Sequence, residues 1–305
     1  MIPFAKSLGF PLKEDFVKFI LIYPNLAGYS NASLAADVAE EAEQAGFDTV
    51  MHWDHYGLPT GPETMDCWLF LSYIAARTSR IRLGTCVTPI PFRPPAQLAK
   101  IVATLDYASG GRVILGVGAG WHKPEFDGYS QWDRDGIRVA KTIEGVRLML
   151  RLWQEKKVDF EGEFYRSIAG ELVPKPVQKP HPKLWFGVRG PKMMRFAAEV
   201  GQGWIPSQLT PAEYRERLDT LHAHRREMGV TGPFEGAIQM FNAPRDNPDK
   251  VTFYNTTTDA KKYLKAVDDF GPAGLDYLGI VWSFPPEEGV SRVKWFRKEV
   301  MSRVK

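Results

Sequence analysis

Three short stretches of this 305-residue chain gather residue types that can do chemistry. In the first, Gly116, Gly118 and Gly120 alternate after the apolar run Val113-Ile114-Leu115 and are followed by Trp121. A dinucleotide fingerprint needs its third glycine one place later, where helix and strand approach closely. Trp121 fills that place, and its indole excludes the fingerprint. In the second, Trp53-Asp54-His55-Tyr56 puts a carboxylate beside an imidazole, the residue types of proton transfer near neutral pH. The third is the turn Gly187-Val188-Arg189-Gly190-Pro191, just ahead of a helical pattern.

Metal and nucleophile chemistry fit less well. Alternation along a strand turns His52 and Asp54 to one face and leaves His55 at the loop junction. His222 and His224 lie two apart in a helical pattern and do not share a face. There is no G-x-S-x-G, and Cys86 has no activating partner nearby in the sequence. No metal is expected.

The elements that must position these stretches alternate from end to end. Apolar runs at 17–23, 47–53, 80–87, 112–118, 183–188, 203–206, 235–241 and 275–282 read as strands. Helical patterns follow each, at 33–46, 65–78, after Pro94-Pro95, and at 135–154, 191–200, 211–228, 259–270 and 287–302. A long loop leads into the helix at 135–154. An interruption around 155–182 holds a hairpin, KVDFEGEFYR, and a proline-rich segment, VPKPVQKPHP. Eight strand–helix units predict an α/β fold, a (β/α)8 TIM barrel carrying that insertion, as one domain over 1–305. The rival doubly wound sheet lacks a phosphate loop after its first strand, where the chain reads YPNLAGYSN.

Composition excludes several function classes. The net charge of +3 and interleaved acids and bases argue against nucleic acid. No uninterrupted apolar span argues for a membrane, and the N-terminus lacks the apolar core of a signal peptide. Two cysteines, Cys67 and Cys86, give no disulfide framework and predict a cytoplasmic protein.

A barrel of this kind builds its active site at the C-terminal strand ends. Those ends carry Tyr23, then Trp53 to Tyr56, Thr85-Cys86-Val87, Gly118 to His122, Gly187 to Pro191, Pro206-Ser207, Phe241-Asn242 and Trp282-Ser283. Glycine turns, large aromatics and one Asp-His pair suit a flat conjugated ligand whose phosphate meets backbone N–H groups.

Together, "HWDHYGLP", "SRIRLGTCVTPIPFRPPAQLAKIVATLDYASGGRVILGVGAGWHKPEF", "FEGEFY…VPKPVQKPHPKLWFGVRGP" and "GQGWIP" resemble the bacterial luciferase-like oxidoreductase family over most of residues 17–210. The resemblance implies a barrel that binds coenzyme F420 or FMN at its strand ends and acts on a small-molecule substrate as a homodimer. Its details lean to the deazaflavin branch, where Cys86-Val87 matches a bulge with a non-prolyl cis peptide. Asp54 and His55 match the catalytic pair. Thr85, Cys86, Val87, Gly118, Ala119, Gly120, Trp121, Gly187, Val188, Arg189, Gly190, Pro191 and Ser207 match cofactor-binding positions, and Tyr23, Trp53 and Trp282 are expected in the substrate pocket.

The chain departs from the pattern twice. Trp121 stands where some deazaflavin dehydrogenases carry a proton-donating glutamate; Glu125 lies too far along to replace it, which speaks against sugar-phosphate chemistry. Arg189 stands where a second glycine is common. The implied activity is F420-dependent hydride transfer. The alternatives are an FMNH2-dependent monooxygenase of the same family and a non-catalytic flavin-binding barrel.

Overall fold

Apolar strands that are buried on both faces pair in parallel, and eight of them here close on themselves. The computed structural model describes residues 17–57, 63–240 and 257–304. In chain order the first elements are β1 (Lys18–Ile22), α1 (Ala32–Ala45), β2 (Thr49–His52), α2 (Cys67–Arg77), β3 (Arg82–Thr85), β4 (Thr88–Pro89), α3 (Pro95–Ala108) and β5 (Val113–Gly118). Next come α4 (Lys123–Tyr129), α5 (Asp135–Gln154), β6 (Val158–Glu161), β7 (Arg166–Gly170), β8 (Lys183–Phe186) and α6 (Pro191–Val200). Then follow β9 (Gly203–Trp204), α7 (Pro211–Glu227), β10 (Glu235–Met240), α8 (Ala260–Phe270), β11 (Tyr277–Val281) and α9 (Gly289–Glu299).

The ring runs β3-β2-β1-β11-β10-β9-β8-β5 and closes by pairing β5 with β3. This is the expected (β/α)8 barrel. The short β4 is the segment just beyond the end of β3, and it pairs with the last residues of β5. The insertion lies where it was expected, with β6 and β7 as an antiparallel hairpin. Glu144 of α5 pins its turn by accepting the N–H groups of Glu163, Phe164 and Tyr165. The stretch expected as a long loop before α5 contains α4. The expected seventh strand end, Phe241-Asn242, lies outside the described residues.

Strand alternation sorts the core into two layers. Ile20, Ile22, Met51, Trp53, Cys86, Ile114, Trp185, Ile205, Ala237, Tyr277 and Val281 face the barrel interior. Phe19, Leu21, Tyr23, Val50, Leu83, Leu115, Phe186, Leu278, Ile280 and Trp282 face the surrounding helices. Local signals set the helices' starts. Asn31 accepts two first-turn N–H groups of α1, Asp66 does the same for α2, and Thr210 with Glu213 forms a capping box on α7.

At the N-terminal end the interior is filled by a polar cluster. Glu235 accepts from the Trp185 indole at 3.0 Å, the Tyr277 hydroxyl at 3.1 Å and Lys183 at 2.8 Å. Arg82, paired with Asp48, lies across the Tyr277 and Trp185 rings.

Candidate active site

At the opposite end the interior is apolar. Ile22, Trp53, Cys86, Ile205 and Val281 form a floor, with Val87 packed against it. The Cys86–Val87 peptide is cis, as the resemblance implies. The Val87 side chain fills the space that two strand ends leave open. A Cβ on Gly118 would lie 2.5 Å from Val87 Cγ2, and one on Gly187 would lie 2.7 Å from Cγ1. Gly120 has φ +79°, and a Cβ there would strike the Phe126 ring. Gly118 and Gly187 thus have a packing reason of their own: they admit Val87.

Asp54 is buried and fully engaged. Its carboxylate takes two hydrogen bonds from Arg93, at 2.7 and 2.9 Å, one from Thr88 Oγ1 at 2.8 Å and one from the Trp68 indole at 3.3 Å. Arg93 also reaches Asp66 at 3.1 Å and lies over the Tyr56 ring. Asp54, expected as half of a catalytic pair, ties the end of β2 to β4, α2 and the loop before α3.

His55 finds a different carboxylate. Its Nδ1 lies 2.7 Å from Oε2 of Glu125, which is buried at the start of α4. His122 Nδ1 lies 3.1 Å from the same oxygen. Oε1 accepts the N–H groups of Tyr56, at 2.7 Å, and Gly57, at 3.1 Å. Burial alone would raise the Glu125 carboxyl. The His55 ring and the two amides outweigh it and hold the group below the usual carboxylate range. The Trp121 ring stands edge-on to His55 at 6.0 Å and is 65% exposed.

The expectation that Glu125 is too distant is therefore corrected. A turn of chain after Gly120 brings α4 back against the end of β2. The signals available were the carboxylate in a short helical turn and its spacing from the glycines. Arg93, Thr88 and His122 were missed as well: Arg93 and Thr88 act through Asp54, far away in sequence, whereas His122 meets Glu125 from three residues before it.

The remaining expected residues divide. Trp53 faces the barrel interior at the apolar end. Tyr23 and Trp282 do not: Tyr23 packs edge-on to Tyr29 and His52, and Trp282 packs among Phe47, Phe284 and Phe296 in the helix layer. Alternation explains both, because Ile22 and Val281 take the interior face just before them. Thr85 is buried, its hydroxyl bonded to the backbone of Gly116. Ala119 is half-buried, and Ser207 pairs by a bridge with Gln239. The Val188 carbonyl accepts from the Trp204 indole at 2.7 Å. Arg189, Gly190 and Pro191 are exposed at the N-terminus of α6, where the first-turn amides of Lys192 and Met193 have no intrahelical partner.

The family described as luciferase-like monooxygenase matches residues 19–263. The chain belongs to that family. Among relatives of this luciferase-like protein, the F420-dependent glucose-6-phosphate dehydrogenase of Kineococcus radiotolerans is 34% identical over 67% of this chain and 60% of its own. The FMNH2-dependent dimethylsulfone monooxygenase of Pseudomonas putida is 25% identical over 77% of this chain and 64% of its own. The chain thus spans less than two thirds of the length of these curated relatives. Among solved structures, an F420-dependent secondary alcohol dehydrogenase in complex with an F420-acetone adduct superposes with a TM-score of 0.78 at 22% identity, covering 94% of this chain and 99% of that one. That likeness shows the shared fold.

Proposed function

We propose that this luciferase-like protein is a coenzyme F420-dependent oxidoreductase that moves a hydride between the deazaflavin and a small organic substrate. The observation that carries the reading is His55, held by the buried Glu125 carboxylate at the rim of an apolar barrel mouth. The F420-dependent relatives, with 34% identity in the dehydrogenase above, favour the deazaflavin over FMN.

The residues present fit such a group. The floor of Ile22, Trp53, Cys86, Val87, Ile205 and Val281 suits a flat ring system. The amides at the start of α6, with the exposed Arg189 and Lys192, suit its phosphate-bearing chain. When bound, the deazaflavin supplies two-electron hydride chemistry, since carbon in place of N5 removes the route to a stable oxygen adduct. His55 exchanges the accompanying proton at its outer nitrogen, and Trp121 walls the substrate slot. Asp54 holds the scaffold around His55 and exchanges no proton.

A titration with F420 and with FMN, each oxidised and reduced, tests the reading. Tight binding of F420 is expected; tight binding of FMN with none of F420 overturns it. The monooxygenase relative supports a second reading, separated by oxygen consumption with reduced FMN.

The exposed stripe of Met65, Leu69 and Tyr73 supports a homodimer formed through α2. Two free, buried cysteines support a reducing, cytoplasmic setting. Among the described residues no helix is long and apolar enough to cross a membrane.

A further inference from the structure

We infer that Glu125 is a positioning residue that fixes the tautomer of two histidine rings at once, and so makes Nε2 of His55 the proton-exchanging atom. The inference deepens the oxidoreductase reading and rests on it for the use to which that atom is put. The tautomers themselves follow from donors and acceptors alone.

A carboxylate only accepts hydrogen bonds, and this one is held in its ionised form. All four groups around it must therefore donate. Tyr56 and Gly57 do so at Oε1 through backbone N–H groups, which have no alternative. His55 and His122 must do so at Oε2, so each ring carries its proton on Nδ1. In the neutral ring Nε2 is then bare and takes up a proton; in the charged ring it gives one. With Glu125 only 2% exposed, water does not relieve the constraint.

The amide isostere exposes the logic. In Glu125→Gln one end of the side chain accepts and the other donates. The obligate donors Tyr56 and Gly57 claim the oxygen, so the NH2 group faces the two rings. Both must then present a bare Nδ1 and move their proton to Nε2. A change of one atom type, at constant shape, inverts two histidines.

Long-range proton–nitrogen correlation spectra of histidine-labelled protein at pH 8 read the ring tautomers directly, with resonances assigned from His55→Gln and His122→Gln. The wild type is expected to show Nδ1–H on both rings, and E125Q is expected to show Nε2–H on both. In H122Q, His55 is expected to keep Nδ1–H, because Oε2 still accepts it. An Nε2–H tautomer of His55 in the wild type or in H122Q overturns the inference, as do unchanged tautomers in an E125Q protein that melts like the wild type. Oxidised F420 is titrated into the wild-type sample. Failure of the wild type to bind F420 overturns the coenzyme reading and leaves the tautomer result standing.

Discussion

Asp54 gives both carboxylate oxygens to Arg93, at 2.7 and 2.9 Å, in a pocket where Asp54 is 1% exposed. Without Asp54 the buried Arg93 keeps only Asp66, at 3.1 Å, and the Thr88 and Trp68 donors lose their acceptor. Asp54→Ala is therefore expected to cost about 3–5 kcal/mol of stability, by analogy with other buried pairs. Urea unfolding measures it, and a loss below about 1 kcal/mol, the size of an exposed pair, would contradict the assignment.

Val87 and Gly118 make a second, oppositely signed case. Adding a methyl group in Gly118→Ala forces Val87 out of its seat, an overpacking expected to cost about 1–3 kcal/mol. Val87→Ala removes the obstructing methyl groups, so the double variant is expected to be less destabilised than the sum of the two single changes. Strict additivity in a double-mutant cycle would show that the two residues do not meet.

His52 carries a pH dependence separate from the candidate site. Burial pushes its imidazole down from 6.5 to about 4, against the Tyr23 carbonyl that accepts from Nδ1 at 2.7 Å. The unfolded chain takes up a proton that the folded chain refuses. Stability is thus fully present above pH 6.5 and falls as the pH drops toward 4, by about 3 kcal/mol in all. Chemical denaturation of the wild type and His52→Gln across that window checks it; equal slopes would rule out His52 as the source.

Leu69, at 74% exposure, lies at the centre of the α2 stripe. Leu69→Glu is expected to turn a dimer into a monomer in sedimentation experiments, with F420 binding unchanged because the stripe lies on the helix layer. Persistence of the dimer would place the interface elsewhere.

How much of this was legible follows from the range of each interaction. The eight strands, the hairpin and the cis bond at Cys86–Val87 rest on local pattern or on a contiguous motif, and each was anticipated. Tyr23 and Trp282 were misplaced although the signal was local: each follows an inward-facing residue, and strict alternation turns it to the helices. Glu125 illustrates the other limit. It meets His55 across 70 residues of sequence, and only the return of α4 against β2 makes the pair. Gly118 was read in sequence only as an approach to phosphate. The Val87 contact adds a packing role that sequence did not suggest.

The cluster of Glu235, Arg82, Tyr277 and Trp185 stoppers one end of the barrel with bonded side chains. Among the described residues the apolar end beside His55 is the one that such bonds leave open. Two guests that share one entrance cannot come and go independently. In the proposed oxidoreductase, whichever of coenzyme and substrate lies deeper must therefore arrive first and depart last.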